Sequence, residues 1–196
     1  MKNLSIATKL LFLKWKYNVN NKENTNLLSI DNWKNCKTYK FYTKTESQLD
    51  YYVRMNACSY ITKIVALDSK RFGTISEKII CEIFNFEPRT SCQNDAVFNN
   101  KKIEIKSARY WESKDECKWQ HIEIYNEFDY ILFVLLDFNG WKIWCLSKEK
   151  LLNTKELYDK KIVTKQGKQG YWTKKSLILP YLIEIKTIDD LESNII

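Results

Sequence analysis

Between Asp129 and Asp137 the chain is almost unbroken apolar side chain, Tyr130-Ile131-Leu132-Phe133-Val134-Leu135-Leu136, and this run constrains the fold more than any other feature. A run of that length between turn signals reads as a strand, and a strand apolar at every position must be covered on both faces. Asn139-Gly140, the strongest short hairpin signal, follows it, and Trp141 to Leu146 reads as the return strand. A sheet with such a strand at its centre needs a layer of structure on each side. The run is also far short of the roughly 20 apolar residues that span a bilayer.

Helical spacing supplies material for one layer. Thr45-Glu46-Ser47-Gln48 has the capping-box pattern, and Leu49, Tyr52, Val53, Ala57, Tyr60, Ile61, Ile64 and Val65 recur on one face, which predicts a helix over about 46–67. A second box, Thr74-Ile75-Ser76-Glu77, predicts a helix to about Phe84 carrying Ile79, Ile80 and Ile83, with Gly73 separating the two helices. A short helix is expected near 5–17, then a polar, Asn-rich loop or arm over 18–45. After Phe84 the period changes. Asp95–Phe98 and Lys101–Ser107 flank Asn99-Asn100, and two extended runs around a two-residue Asn turn predict a β-hairpin. In its second strand Ile103 and Ile105 point one way and Lys102, Glu104 and Lys106 the other, a charged face expected near the surface. Residues 108–128 are mixed and rich in Trp and charge; Ser147 is expected to cap a short helix to about Asn153, and Ile188 to Leu191 reads as a last helical turn. Helices first, then a meander, then mixed elements predict an α+β, sandwich-like domain with a mixed central β-sheet flanked by helices.

At 196 residues the chain is sized for a single domain, read here as an N-terminal helical or arm region (1–67), a core (74–153) and a C-terminal basic region (154–196). The single histidine, His121, excludes Cys2His2 fingers, His-Glu-x-x-His zinc proteases and nucleases built on paired histidines. The six cysteines are at least eleven positions apart, so no Cys-x-x-Cys clip exists. No signal peptide is read at the N-terminus, where Lys9 and Lys14 interrupt Leu10 to Leu13, so the thiols are expected to be reduced, in the cytoplasm. Net charge is +8, which suits a polyanionic partner. Of the basic residues 28 are Lys and 4 are Arg, a skew that an AT-rich coding bias also produces.

The segment that carries chemistry is Asn94-Asp95, eight residues, then Glu104-Ile105-Lys106. Asp95 opens one strand of the hairpin, while Glu104 and Lys106, two apart, share a face of the next. Two carboxylates on adjacent strands can hold a hard divalent cation such as Mg2+, with the Ile105 carbonyl as a further oxygen ligand and waters completing the shell. Lys106 on the same face can reach a water attacking phosphorus.

These residues resemble the PD-(D/E)xK nuclease superfamily, the fold of most type II restriction endonucleases: Asp95, Glu104 and Lys106 match its signature, and Asn94 stands where the family often has Pro. The resemblance covers about residues 74–153, where the family's αβββαβ core would be threaded. It implies a restriction-endonuclease-like core and a Mg2+-dependent endonuclease acting on double-stranded DNA as a homodimer. The helices expected at 5–17 and 46–67 are candidates for the dimer interface or a DNA-embracing arm. It further implies auxiliary roles for Glu77, on the upstream helix, and for Gln120 and His121 in the Trp119-Gln120-His121 segment. Ser107 and Arg109, following the lysine, could touch phosphate. A structure-selective or repair nuclease of the same fold, or a non-catalytic DNA-binding module with a nuclease-like core, remain the alternatives.

A second surface is the basic run through Lys165-Gln166-Gly167-Lys168-Gln169-Gly170-Tyr171-Trp172-Thr173-Lys174-Lys175. Its lysines suit phosphate, Gln166 and Gln169 suit adenine edges in the major groove, and Trp172 could stack or wedge between bases. A solvated basic loop with its aromatics in the core is the alternative.

Overall fold

The computed structural model describes residues 48–111 and 116–196. The helix expected near 5–17, the polar stretch 18–45 and Cys36 lie outside the described residues.

The long helix expected over about 46–67 is two: α1 (Gln48–Arg54) and α2 (Ser59–Val65). Asn56 sits between them at φ 56°, a left-handed conformation that Asn tolerates better than most side chains and that no helix can pass through. Both short helices present apolar residues to the same cluster of Tyr51, Tyr52, Val65, Phe72 and Leu136, which is why the apolar spacing ran on across the break. The next helix, α3 (Ser69–Ile83), begins five residues before the expected Thr74 box. Its N-cap is Asp68, whose side chain accepts the Arg71 amide at 2.9 Å. Gly73, expected as a separator, lies inside this helix, and the Thr74–Glu77 box is interior to it. Phe72, Ser76 and Ile80, four apart, form its buried stripe.

The two hairpins follow the sequence. β2 (Ala96–Phe98) and β3 (Lys101–Arg109) turn on Asn99 and Asn100, both in the left-handed region at φ 49° and 62°, as a two-residue primed turn requires. β5 (Tyr130–Asp137) and β6 (Gly140–Ser147) pair antiparallel from Tyr130–Ser147 to Asp137–Gly140. With β1 (Glu87–Pro88) and β9 (Ile183–Ile185) they form a six-stranded mixed sheet, β1-β2-β3-β5-β6-β9, in which β3 and β5 are parallel and every other pair antiparallel. β5 is buried on both faces. Ile131, Phe133 and Leu135 join one core cluster; Leu132 and Val134 join another with Ile80 of α3. Each such side chain contributes roughly 1.5–3 kcal/mol by leaving water, so this strand is the chief anchor of the domain.

The mixed stretch after β3 supplies the second layer. β4 (Lys118–Ile122) pairs with β8 (Tyr171–Lys174), and β8 with β7 (Val163–Lys165), in a three-stranded antiparallel sheet. Trp119 ties it to the central sheet: fully buried, it packs edge-on to Phe133 and donates its indole N–H to the Val134 carbonyl at 2.9 Å. Ser147 accepts the Lys150 amide and caps α4 (Lys148–Asn153), as expected. Short helices α5 (Lys155–Asp159) and α6 (Lys175–Ile178) follow, and α7 (Ile188–Asn194) opens on a Thr187–Asp190 capping box. Among the described residues no helix is long and apolar enough to cross a membrane.

The β7–β8 turn depends on one glycine. Gly170 has φ +73°, and a Cβ there would meet Glu123 Oε1 at 2.7 Å and the Ile122 carbonyl at 2.8 Å. The carboxylate can swing away but the backbone oxygen cannot. Gly170→Ala is therefore expected to destabilise the domain by roughly 1–3 kcal/mol, read as a lowered midpoint in urea unfolding.

Candidate active site

β3 is nine residues long, yet β2 pairs only with Lys101, Lys102 and Ile103. From Glu104 onward the edge of β3 facing away from β5 is not covered by β2, and a cleft of about 600 Å³ opens along it. α3 forms one wall, on the face where Ile80 packs with Ile103 and Ile105. β4 forms the other, on the face where Trp119 packs with Ala108. Of the residues picked out in the sequence, Glu77, Asp95, Lys106, Ser107, Gln120 and His121 line this cleft, together with Ile105 and Arg109.

Asp95 precedes β2, and its backbone amide still donates to the Ile103 carbonyl at 2.9 Å. Its side chain then replaces the missing strand: Oδ2 accepts the Ile105 amide at 2.7 Å, the first β3 donor beyond the reach of β2. Glu104 is 3% exposed, against the expectation of a surface charge; Ala108, on the same face of β3, belongs to the core cluster that holds Trp119 of β4. Its Oε1 takes Lys106 Nζ at 2.5 Å. Burial pushes the Glu104 carboxyl above the usual carboxylate range; the Lys106 ammonium pulls it back in part, and the Asp95 and Glu77 charges push it further up. Glu77, half-buried on α3, is raised by burial first and by the Asp95 charge second. Three carboxylates and one lysine thus feel one another, with Glu77, Asp95 and Lys106 lining the cleft and Glu104 buried behind them. Among the described residues no group of three or more carboxylate, histidine or cysteine side chains is drawn together as a metal cage.

Arg109 is engaged within the fold. One guanidinium nitrogen donates to the Leu67 carbonyl at 2.6 Å, and the group stacks over Phe72 with its carbon 4.1 Å from the ring centre. It fastens the end of β3 to the turn between α2 and α3.

No protein-family model matches this chain, and no curated protein does. The site therefore rests on its own geometry.

Gln120 and His121 reach the cleft through an irregularity in β4. Trp119 pairs with Thr173 and Ile122 with Tyr171, so three steps along β4 oppose two along β8, a β-bulge. The bulge buries both Trp119 and Ile122 and leaves both Gln120 and His121 exposed, which strict alternation would forbid. His121 carries the distortion at φ +58°, a conformation that costs a residue other than Gly about 1–3 kcal/mol.

The basic C-terminal segment lies elsewhere. Lys165 ends β7, and Gln166, Lys168 and Gln169 belong to the β7–β8 turn, with Lys165, Lys168 and Gln169 exposed. Trp172 and Lys174 are half-buried on β8, where Trp172 carries Lys118 Nζ 4.6 Å from its ring centre, and Lys175 Nζ lies 5.9 Å from the Trp144 ring. None of these seven lines the cleft, but β8 is bonded to β4, whose Lys118, Gln120 and His121 do. Sequence reasoning missed Lys118, and also Ser69, Lys70 and Thr74 of the cleft wall. The signal for the last three was Asp68, a better N-cap than Thr74 because its side chain precedes the first turn that the buried stripe needs.

Proposed function

We propose that this chain is a Mg2+-dependent endonuclease hydrolysing phosphodiester bonds of double-stranded DNA, a type II site-specific restriction endonuclease that works as a homodimer in the reducing cytoplasm. The observation that carries the reading is the convergence of Asp95, Ile105 and Lys106 on one open cleft, with Glu104 paired to Lys106 behind them and Glu77 on the facing helix. The element order supports it too. A helix, three antiparallel strands and then a strand parallel to the third is what a restriction-endonuclease-like core calls for, with Asp95 at the start of the second strand and Glu104 and Lys106 on the third. One departure stands out: the link from β3 to β5 carries β4 of the second sheet where the family core has a helix.

The donor set fits a hard cation. Carboxylates that raise one another's affinity for protons are short of positive charge, and Mg2+ commonly binds one or two carboxylates while keeping its waters. Asp95, Glu104 and the Ile105 carbonyl would hold it, and the ion when bound lowers the pKa of water and neutralises charge on phosphate oxygens. Lys106 orients the attacking water, and Ser107 lies beside it along the uncovered edge of β3. Incubating the protein with long natural duplex DNA and Mg2+ tests the proposal. Discrete fragments are expected; a smear, or cleavage of branched DNA alone, would reject site-specific restriction, and no cleavage would reject the nuclease reading.

The exposed lysines at and beside this turn give a separate expectation for binding. Lys165→Ala and Lys168→Ala should each lower the slope of log K against log salt by about one, alike for all sequences, if they touch phosphate. Gln169→Ala should instead weaken discrimination by roughly 1–3 kcal/mol. Filter-binding titrations across salt concentrations check this, and unchanged slopes would remove the turn from the interface.

A further inference from the structure

We propose that His121 is the general acid of the cleavage, a step that rests on the nuclease reading above. Of the cationic side chains on the cleft walls, Lys70 is exposed on the first turn of α3 and the other three are committed. Lys106 is paired to Glu104, Arg109 is bound to the Leu67 carbonyl and stacked on Phe72, and Lys118 sits over the Trp172 ring. A guanidinium, moreover, does not release a proton in a protein. His121 is exposed, lines the cleft and has no hydrogen-bond partner among the described residues. Imidazole is the side chain best suited to proton transfer near neutral pH.

The backbone adds an independent argument. At φ +58° a glycine or asparagine would sit with less strain, yet the position holds the chain's single histidine. The bulge that imposes this conformation is also what turns residue 121 out to the cleft that Asp95 and Lys106 line as well. Strain held at a bulge beside a cleft is the expected signature of a side chain aimed for use. In the step, the water oxygen bonds phosphorus while the bond from phosphorus to one sugar oxygen breaks. The electron pair of that bond stays on the departing oxygen, which takes a proton from the imidazolium of His121. The proton lost by the water passes to solvent, and solvent reprotonates the imidazole.

A leaving group that needs no proton tests this. Substrates with sulfur in place of the 3′ or the 5′ bridging oxygen at the cleaved bond depart as a thiolate in whichever position leaves. His121→Asn and His121→Gly tolerate the left-handed backbone, so both should fold at least as stably as the wild type. On ordinary DNA they should cleave about 10²–10⁴-fold more slowly, while on the sulfur-bridged substrate they should approach the wild-type rate. Equal losses on both substrates, or no loss on either, would overturn the assignment. If Asp95→Asn abolishes cleavage but His121→Asn does not, the nuclease reading stands and this inference falls. A wild-type protein that cleaves neither substrate removes both. A second readout needs no turnover: as the single histidine, His121 gives one set of imidazole NMR signals, which should move when duplex DNA is added in EDTA. Signals that stay fixed as DNA binds would also overturn it.

Discussion

Asp95→Asn and Glu104→Gln are each expected to abolish DNA cleavage while leaving a folded protein that still binds duplex DNA. These variants, rather than alanine, separate chemistry from architecture. Asp95 has two tasks: a charge facing the cleft, and an Oδ2 that satisfies the Ile105 amide at 2.7 Å. Asparagine keeps an oxygen for that amide and discards the charge, whereas alanine would leave a half-buried N–H unmet at a cost of roughly 1–3 kcal/mol. Glu104 likewise anchors Lys106, and its side chain is 5% exposed against 20% for the lysine. Glutamine keeps the volume and an oxygen for Lys106; alanine would open a hole beneath an unpaired ammonium, with a loss of the order of 1–3 kcal/mol, since Lys106 still reaches some water. Loss of a carboxylate should also strengthen DNA binding slightly, by removing a negative charge from the path of the phosphates. Cleavage assays, Mg2+ titrations and thermal unfolding of the two variants decide the matter. Wild-type cleavage by the Asp95→Asn/Glu104→Gln double variant would end the assignment.

How much of this was legible in the sequence depended on whether the deciding contact was local. The Asn99-Asn100 and Asn139-Gly140 turns were readable because turn chemistry lies within four residues. The alternation around Glu104 was readable for the same reason: Ile103 and Ile105 do join one core cluster, with Glu104 and Lys106 on the other face. That Glu104 is buried was not readable, because alternation gives the face a side chain takes and not what packs over that face. Periodicity also failed between α1 and α2, where one Asn in the left-handed region breaks the backbone without disturbing the apolar pattern. The β4 bulge was invisible in Trp119-Gln120-His121-Ile122, since its register is set by pairing with Tyr171 and Thr173. Hence Gln120 and His121 could be suspected as a pair but not placed on the cleft wall.

Lys106→Met should slow cleavage by about 10²–10⁴-fold while DNA binding in Ca2+ changes little, because methionine keeps much of the apolar stem and removes only the ammonium. The consequence reaches beyond the lysine. The ammonium is the main influence holding Glu104 down against burial and against the Asp95 and Glu77 charges. Without it the Glu104 carboxyl must rise further above its unfolded value. A carboxyl raised on folding binds more protons in the native state than in the unfolded one, so it subtracts stability as pH climbs through the unfolded pKa, up to the folded one. Lys106→Met should therefore lose more stability than the wild type as pH rises from about 4, the unfolded carboxylate range, and Lys106→Met/Glu104→Gln should recover most of that loss. Urea unfolding of the three proteins from that pH upward measures it. A Lys106→Met protein that loses no more stability with pH than the wild type would show that the 2.5 Å pair does not govern the charge of Glu104, and that the lysine's place in the site is set by the cleft instead.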